Sequence, residues 1–204
     1  VHNYAITYVP GNLVISPATL TATLMNAAKV VGDTDPTPTF TYTGFKNGDT
    51  VSTVSITSPT VTISGVTNTT GSFAMTASGG SVANYTITPA YTTAANTAPC
   101  GVTACSVLTV TPAQQLLITL GATDTAVYGS VTPTLTAVSA KYSTPIAGTS
   151  NYNVYTLTLS RVSGNIWQGV DVSNGGQISK FTLTAAGWTQ YSNVGNYATT
   201  LVSS

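Results

Sequence analysis

Side chains able to do acid–base or nucleophilic chemistry are scarce in this chain of 204 residues. The five acidic residues are all Asp, the basic ones are five Lys or Arg, and the one histidine is His2. A Ser-His-Asp triad needs a histidine held by a carboxylate, a nucleophile and an oxyanion hole. The sequence around His2 offers none of these partners, so we expect neither an enzyme nor a bound cofactor.

Three Asp residues lie in two turn-like segments, Asp33 and Asp35 in VGDTDPT and Asp49 in KNGDT. If the turns met, their carboxylates could contribute to a calcium site, which takes about six to eight oxygen ligands. The alternative is that each carboxylate accepts hydrogen bonds from the backbone of its own turn. The second interpretation is favoured, and no metal site is predicted.

The two cysteines, Cys100 and Cys105, enclose a short segment in PCGVTAC. No further zinc ligands stand nearby, and the spacing differs from the CxxC of redox proteins. The pattern predicts a disulfide at the tip of a turn. Since disulfides persist in oxidising compartments, it indicates an extracellular protein.

Both tryptophans, Trp167 and Trp188, lie in the second half of the chain, together with Tyr191 and the one arginine, Arg161. Such rings could form a platform for a carbohydrate or another surface. They could also fill a core or a contact between domains, which is the favoured interpretation.

The elements that carry these side chains have the patterns of β-strands. Segments rich in β-branched residues alternate with Gly, Asn and Pro turns; the predicted strands include Val51–Ile56, Val61–Ser64, Tyr85–Thr88 and Val107–Val110. Residues 17–30 could suggest a helix, but their alternating Thr residues favour a strand. We therefore predict an all-β fold of two tandem sandwich-like domains, immunoglobulin-like or related, in an elongated head-to-tail arrangement.

The amino-acid composition limits the classes of partner that we expect for this chain. Only 5% of the residues are charged, against roughly 25% in an average soluble protein, and no basic patch for nucleic acid is present. No apolar run reaches the roughly 20 residues of a membrane-spanning helix. A chain so poor in charge tends to associate, which suits a protein that works in an assembly.

Internal repeats set the predicted domain boundaries. Four pairs of segments correspond: residues 31–37 with 128–134, 71–76 with 195–200, 3–7 with 84–88, and 13–18 with 108–113. The first repeat domain is predicted at 18–113 and the second at 114–204. The second repeat lacks the closing hairpin that ends the first.

A matching hairpin stands at the other end of the chain, in residues 1–17. Joining the C-terminus to the N-terminus reproduces the order of segments in the first repeat. We therefore expect residues 1–17 to belong to the second domain of the preceding unit. The strand residues predicted to make this contact between units are Asn3, Tyr4, Ile6, Tyr8, Leu13, Val14 and Ile15.

These motifs resemble the MBG (mostly beta, glycine-rich) repeats of large bacterial surface and secreted adhesins, including exoproteins of the filamentous haemagglutinin kind. The residues that carry the resemblance are 31–36, 44–50, 84–88 and 109–113. It covers most of the first repeat but only the ends of the second, which lacks the Asn-Gly-Asp turn. The resemblance implies a stalk or fibre module on a bacterial cell surface, without catalytic residues.

The sequence thus predicts a structural unit of an extracellular bacterial filament or adhesin stalk, whose partners are copies of itself. Two versions remain open: the units are covalently continuous in one giant chain, or separate subunits joined by donated strands. The alternative function is a carbohydrate- or surface-binding adhesin module that uses Trp167 and Trp188.

Overall fold

The computed structural model describes residues 3, 7–65, 68–93, 95, 97–121, 124, 133–186 and 199–203, although in the last stretch the side chain of Leu201 alone is described. Within these residues the fold consists of strands and one 3-10 turn at Val172–Asn174, without an α-helix. The strands are β1 Ala18–Leu24, β2 Ala27–Val30, β3 Phe40–Thr43, β4 Ile56–Thr57, β5 Thr60–Ile63, β6 Gly71–Ser78, β7 Ser81–Val82, β8 Tyr85–Tyr91, β9 Ser106–Thr111, β10 Leu117–Leu120, β11 Ala137–Pro145, β12 Tyr152–Thr156, β13 Thr158–Ser163, β14 Ile166–Asp171, β15 Gln177–Ala185 and β16 Thr199–Ser203. The all-β prediction is confirmed. None of the described helical turns is long and apolar enough to span a membrane.

The strands form four sheets, with the orders β3-β1-β8-β7-β4, β2-β9-β6-β5, β10-β11-β12 and β13-β14-β15-β16. Parallel pairings occur between β1 and β8 and between β2 and β9. Parallel neighbours need a long connection between them, and one long connection serves both pairs. The chain passes from β1 through Met25 and Asn26 into β2, continues through β3 to β7, and then forms β8 beside β1 and β9 beside β2.

This arrangement corrects the predicted closing hairpin of the first repeat. Its two strands, β8 and β9, lie in different sheets. Among the described residues of the segment that joins them, the antiparallel contact is one bridge between Thr93 and Cys105. The two are therefore closing strands, each inserted beside a different early strand.

Strand formation follows the alternation of apolar and hydroxyl side chains. In β1 the side chains of Leu20, Ala22 and Leu24 are buried while the Thr residues between them are not. Such a period of two places one face of the strand in the core. The strand prediction for residues 17–30 is confirmed, and so are the strands at 61–64, 85–88 and 107–110.

The prediction of a strand at Val51–Ile56 is wrong for most of its length. Residues 51–53 form a turn, and strand β4 covers only Ile56–Thr57. The backbone carbonyl of Thr50 accepts hydrogen bonds from the backbone N–H groups of Thr53 and Val54 and from the Thr53 hydroxyl. Local hydroxyl–backbone bonds of this kind compete with strand pairing.

The chain divides into two compact units that are interleaved along the sequence. Unit 1 comprises residues 1–26, 38–62 and 74–107, and unit 2 comprises 27–37, 63–73 and 108–204. The buried core of unit 1 includes Leu20, Leu24, Met75 and Tyr85. Unit 2 has a cluster of Leu135, Ala137, Phe181 and Leu183, against which Trp167 and Ile118 pack. The repeat boundaries at 18–113 and 114–204 and the head-to-tail arrangement stay predictions.

Candidate functional site

An N-terminal segment of apolar side chains lies exposed before β1. Residues 7–17 form no strand, and the exposed fractions of Leu13 and Ile15 are 87% and 85%. Tyr8 and Val14 are each 82% exposed, and Asn3 is exposed as well, while Tyr4 and Ile6 lie outside the described residues. A run of fully exposed large apolar residues is uncommon on a free protein surface and marks an interaction site.

The counterpart of this segment in the first repeat is buried. Residues 13–18 correspond to 108–113, and in β9 the exposed fractions of Leu108 and Val110 are 0% and 2%. Thr109, between them, is exposed. Leu13 and Ile15 therefore repeat the two inward positions of β9, and Val14 repeats its outward position.

Strand β10 has an open edge that its counterpart β1 does not have. Each strand is preceded by a proline of a Pro-Ala pair, Pro17 before β1 and Pro112 before β10. An equivalent backbone hydrogen bond follows each strand: the Met25 N–H donates to the Thr39 carbonyl at 3.0 Å, and the Gly121 N–H donates to the Thr136 carbonyl at 2.8 Å. Strand β1 lies between β3 and β8, whereas β10 is paired on one side only, with β11, within the part of the chain that the structure describes.

Strand β16 has a second open edge. It corresponds to β6, which lies between β9 and β5, but it pairs only with β15 among the described strands. The exposed fraction of Leu201 is 45%, whereas Ala77, its counterpart in β6, is 8% exposed. The two open edges are those that β8 and β9 cover in the first repeat.

Four of the few charged side chains meet in unit 2. Lys29 Nζ lies 2.7 Å from Asp35 Oδ1, and Lys141 Nζ lies 2.7 Å from Asp33 Oδ2. Lys29 also donates to the Asp33 carbonyl at 2.8 Å, so the two pairs form one cluster. Three of the four, Lys29, Asp33 and Lys141, line a cavity of about 150 Å³ together with Ala28, Thr34, Pro36, Leu117, Thr119 and Ser139.

The Asp33 carboxyl is held in its charged form. Burial alone would raise its pKa, but hydrogen bonds from Lys141 and the Thr34 backbone, with the charges of Lys141 and Lys29, lower the pKa below the ordinary value. The turn itself requires Gly32, whose φ is +89° and whose Cα faces Tyr152 so closely that an added Cβ would lie 2.5 Å from the Tyr152 Cβ. Sequence reasoning missed Lys29 and Lys141, and the signal available was one lysine inside the apolar segment AAKVV.

The three carboxylates considered as calcium ligands, for which the turn interpretation is favoured, each have another partner. Asp49 accepts a hydrogen bond from the Tyr85 hydroxyl at 2.6 Å in unit 1, and this bond raises the pKa of Tyr85. Asp33 and Asp35 pair with lysines in unit 2. No group of three or more metal-binding side chains occurs among the described residues.

The predicted disulfide between Cys100 and Cys105 is confirmed. Their Cα atoms are 5.5 Å apart, and both side chains are buried. The backbone of Cys105 exchanges two hydrogen bonds with that of Thr93, at 2.9 and 3.1 Å, which fixes the base of the loop.

Trp167 makes packing and hydrogen-bond contacts within unit 2. Its indole N–H donates to the Leu135 carbonyl at 3.3 Å, and the Arg161 guanidinium lies over the ring at 4.9 Å from the centroid. The same carbonyl accepts from Arg161 at 2.9 Å. Trp188 and Tyr191 lie outside the described residues, and a ligand role for the three aromatics stays a prediction.

A further polar contact that the sequence did not indicate joins Tyr142 and Asp171. The Tyr142 hydroxyl donates to the Asp171 carboxylate, which raises the pKa of Tyr142 to about 12. The other oxygen of Asp171 accepts from the hydroxyl of Ser173 and from the backbone of Ser173 and Asn174. These bonds, the Ser173 side-chain bond first, lower the pKa of Asp171, which is buried as the cap of the 3-10 turn.

Comparison with known proteins agrees with the resemblance seen in the motifs. No curated protein and no solved structure matches the chain. The family model of the MBG domain (YGX type) matches residues 20–95, a range that begins in β1 and ends just after β8. MBG domains are typical of bacterial surface proteins, and the disulfide is consistent with a secreted or surface protein. Residues 20–95 of this chain are thus an MBG domain of the YGX type.

Proposed function

We propose that this chain is a structural unit of an extracellular bacterial filament or adhesin stalk, in which residues 1–17 of one unit complete the second repeat of its neighbour. In this arrangement residues 3–7 take the place of β8 beside β10, and residues 13–17 take the place of β9 beside β16. The chemistry is association alone, since an MBG domain suggests a structural rather than a catalytic module.

One observation carries the proposal: matching apolar side chains are buried in one copy of the repeat and exposed in the other. Leu108 and Val110 are 0% and 2% exposed, while Leu13 and Ile15 are 87% and 85% exposed. Strand β16, which would receive Leu13 and Ile15, has an open edge among the described strands. The first repeat therefore serves as the template for the contact.

Apolar burial would contribute to the contact. Full burial of one Leu or Ile side chain is worth about 1.5–3 kcal/mol, so Leu13 and Ile15 together would contribute about 3–6 kcal/mol. Because the donor segment and the acceptor edges are different surfaces, repetition of the contact builds open filaments unless a ring closes.

The first experiment separates the two versions of the proposal. Mass spectrometry of the native assembly under denaturing conditions gives about 20.8 kDa if the units are separate subunits. A far larger mass supports one continuous chain, in which residues 1–17 follow the preceding unit without a break.

The second experiment tests the contact with the purified 204-residue protein. Removal of residues 1–17 should abolish the filaments seen by electron microscopy, and so should the double substitution Leu13→Asp with Ile15→Asp. Val14→Asp is the matched control, because Val14 is 82% exposed but corresponds to the outward Thr109. Filaments of normal appearance in the deletion variant would refute the proposal.

No second function is proposed. A carbohydrate platform needs an aromatic face open to the ligand, whereas Arg161 covers the Trp167 ring and the indole N–H is already bonded. A glycan array on wild type and a Trp188→Ala variant remains the test of that alternative.

A further inference from the structure

The residues just before β10 differ in conformation from their counterparts at the start of β1. Strand β1 begins at Ala18, and its Ala18–Leu20 pair in parallel with Tyr85–Ile87 of β8. Strand β10 begins only at Leu117, and Ala113 and Gln114 form a turn instead. The shared hydrogen bonds at Met25 and Gly121 align the two strands. Relative to the match of residues 13–18 with 108–113, the second repeat has one extra residue before β10. Within the strands, Gln114, Gln115 and Leu116 therefore stand at the positions of Ala18, Thr19 and Leu20.

Gln114 makes this turn in an unfavourable backbone conformation. Its φ is +65°, in the left-handed region that a residue with a Cβ rarely adopts. Its N–H donates to the Ser143 carbonyl at 2.8 Å. In the first repeat the corresponding N–H, that of Ala18, donates at 3.0 Å to the Asn84 carbonyl, which immediately precedes β8.

Leu116 shows that this arrangement leaves apolar surface uncovered. It is 37% exposed, whereas its counterpart Leu20 is 0% exposed under the cover of β8. Together with the positive φ of Gln114, this makes the turn a poor final state for this edge.

We propose that the turn at Ala113 and Gln114 is a reversible cap on the acceptor edge of β10, which opens when a second copy of the chain docks. This inference rests on the proposed function and concerns the regulation of the same contact. On opening, the Gln114 N–H leaves the Ser143 carbonyl and residues 114–116 become extended. Strand β10 then reaches the length of β1, with Tyr4, Ala5 and Ile6 of the second copy opposite Gln114, Gln115 and Leu116.

The cap explains how the open edge is protected before docking. Unpaired strand edges promote association with unrelated chains, and the turn removes the first residues of β10 from that edge. Docking must then break one backbone hydrogen bond and straighten one turn, but it releases the strained φ of Gln114 and covers Leu116. The occupant has to supply backbone groups in parallel register, as residues 3–7 of a second copy do by their match to 84–88.

Two substitutions at one exposed position test the cap in opposite directions. Gln114→Gly adopts a positive φ without strain, so it should stabilise the cap and weaken docking about fivefold. Gln114→Val has a β-branched side chain that disfavours the same φ and favours a strand, so docking should strengthen by a similar factor. Neither change touches the inward positions of the donor segment.

Docking is measured with a full-length chain that cannot donate its own segment, the variant Leu13→Asp with Ile15→Asp. Each Gln114 substitution is placed in this background and titrated with a fluorescent peptide of residues 1–17. A second readout is hydrogen exchange at the amide of residue 114 in the free chain, which should be slower in Gln114→Gly and faster in Gln114→Val. A role confined to folding would change stability without this inverse relation between exchange protection and affinity.

The outcomes are distinguishable. If the peptide binds and its Kd is the same within twofold for the unsubstituted Gln114 chain, for Gln114→Gly and for Gln114→Val, the cap does not exist and the proposed function stands. If the peptide does not bind even when Gln114 is intact, the proposed function itself fails. Tighter binding of the peptide to Gln114→Gly than to Gln114→Val overturns the cap directly.

Discussion

Two Asp→Asn substitutions in the charge cluster should have unequal effects, although both ion pairs measure 2.7 Å. The difference lies in the lysines: Lys29 is 5% exposed and Lys141 is 36% exposed. After Asp33→Asn, Lys141 can turn to water, and the Asn side-chain oxygen can still accept from the Thr34 backbone as Asp33 does at 2.9 Å. After Asp35→Asn, Lys29 stays buried and loses its charged partner, while its bond to the Asp33 carbonyl remains.

The magnitudes follow from burial. A hydrogen bond to a charged group is worth about 1.5–3 kcal/mol, and loss of a partner from a fully buried pair costs about 3–5 kcal/mol. Because Asp35 is 42% exposed, the lower range applies, and Asp35→Asn should cost about 2 kcal/mol. For Asp33→Asn we expect less than about 1 kcal/mol, near the range of exposed pairs, because Lys141 is 36% exposed and can regain water.

The assay is urea unfolding at pH 7, followed by circular dichroism, with the double substitution Lys29→Met and Asp35→Asn as the third variant. Replacing a buried ion pair with apolar or neutral groups is often harmless, so this variant should recover most of the loss caused by Asp35→Asn. The reasoning is refuted if Asp33→Asn is the more destabilising change. It is also refuted if the double variant is less stable than Asp35→Asn alone.

Three further predictions concern stability. Because the pKa of Asp33 is lower in the folded chain than its ordinary 3.8, its contribution is complete above about pH 4 and is lost as the pH falls through the folded value; acid titration of wild type against Asp33→Asn should show a shallower loss in the variant. Replacement of Cys100 and Cys105 by Ser should cost about 2 kcal/mol for so short a loop, measured by urea unfolding, and dithiothreitol should have no further effect on this variant. Trp167→Ala should cost about 3 kcal/mol through lost packing and the lost bond to Leu135, whereas an unchanged melting temperature would show that the ring is free for a ligand.

Local chemistry explains what the sequence predicted well. The alternating Leu and Thr of β1 and the short spacing of Cys100 and Cys105 specify a strand and a disulfide with few alternatives. The segment at Val51 had the same β-branched composition, yet it forms a turn in which the backbone N–H groups of Thr53 and Val54 and the Thr53 hydroxyl donate to the Thr50 carbonyl. Composition alone could not distinguish a strand from a turn, because both provide hydrogen-bond partners for the backbone N–H and C=O groups.

Contacts between distant segments could not be predicted from the sequence. Nothing near Lys141 indicates that it meets Asp33, and nothing near Tyr142 indicates Asp171. The parallel pairing of β1 with β8 was also unforeseen, since neighbouring strands in a small β domain are more often joined as hairpins. The repeats did indicate which residues are equivalent, and this equivalence became interpretable once one copy was seen buried and the other exposed.

Parallel pairing also determines how a second copy could be recognised. With so few charges, the chain has little scope to select partners by electrostatic complementarity. Register is the remaining source of specificity: a shift of one residue would turn Leu13 and Ile15 outward and Val14 inward. Since β8 runs parallel to β1, a donor that copies it would enter β10 in one direction only, which would give successive units of the proposed assembly a single polarity. Specificity of register would then come from residues 13–15 and polarity from residues 3–7, and Val14→Asp, at an outward position, should leave both unchanged.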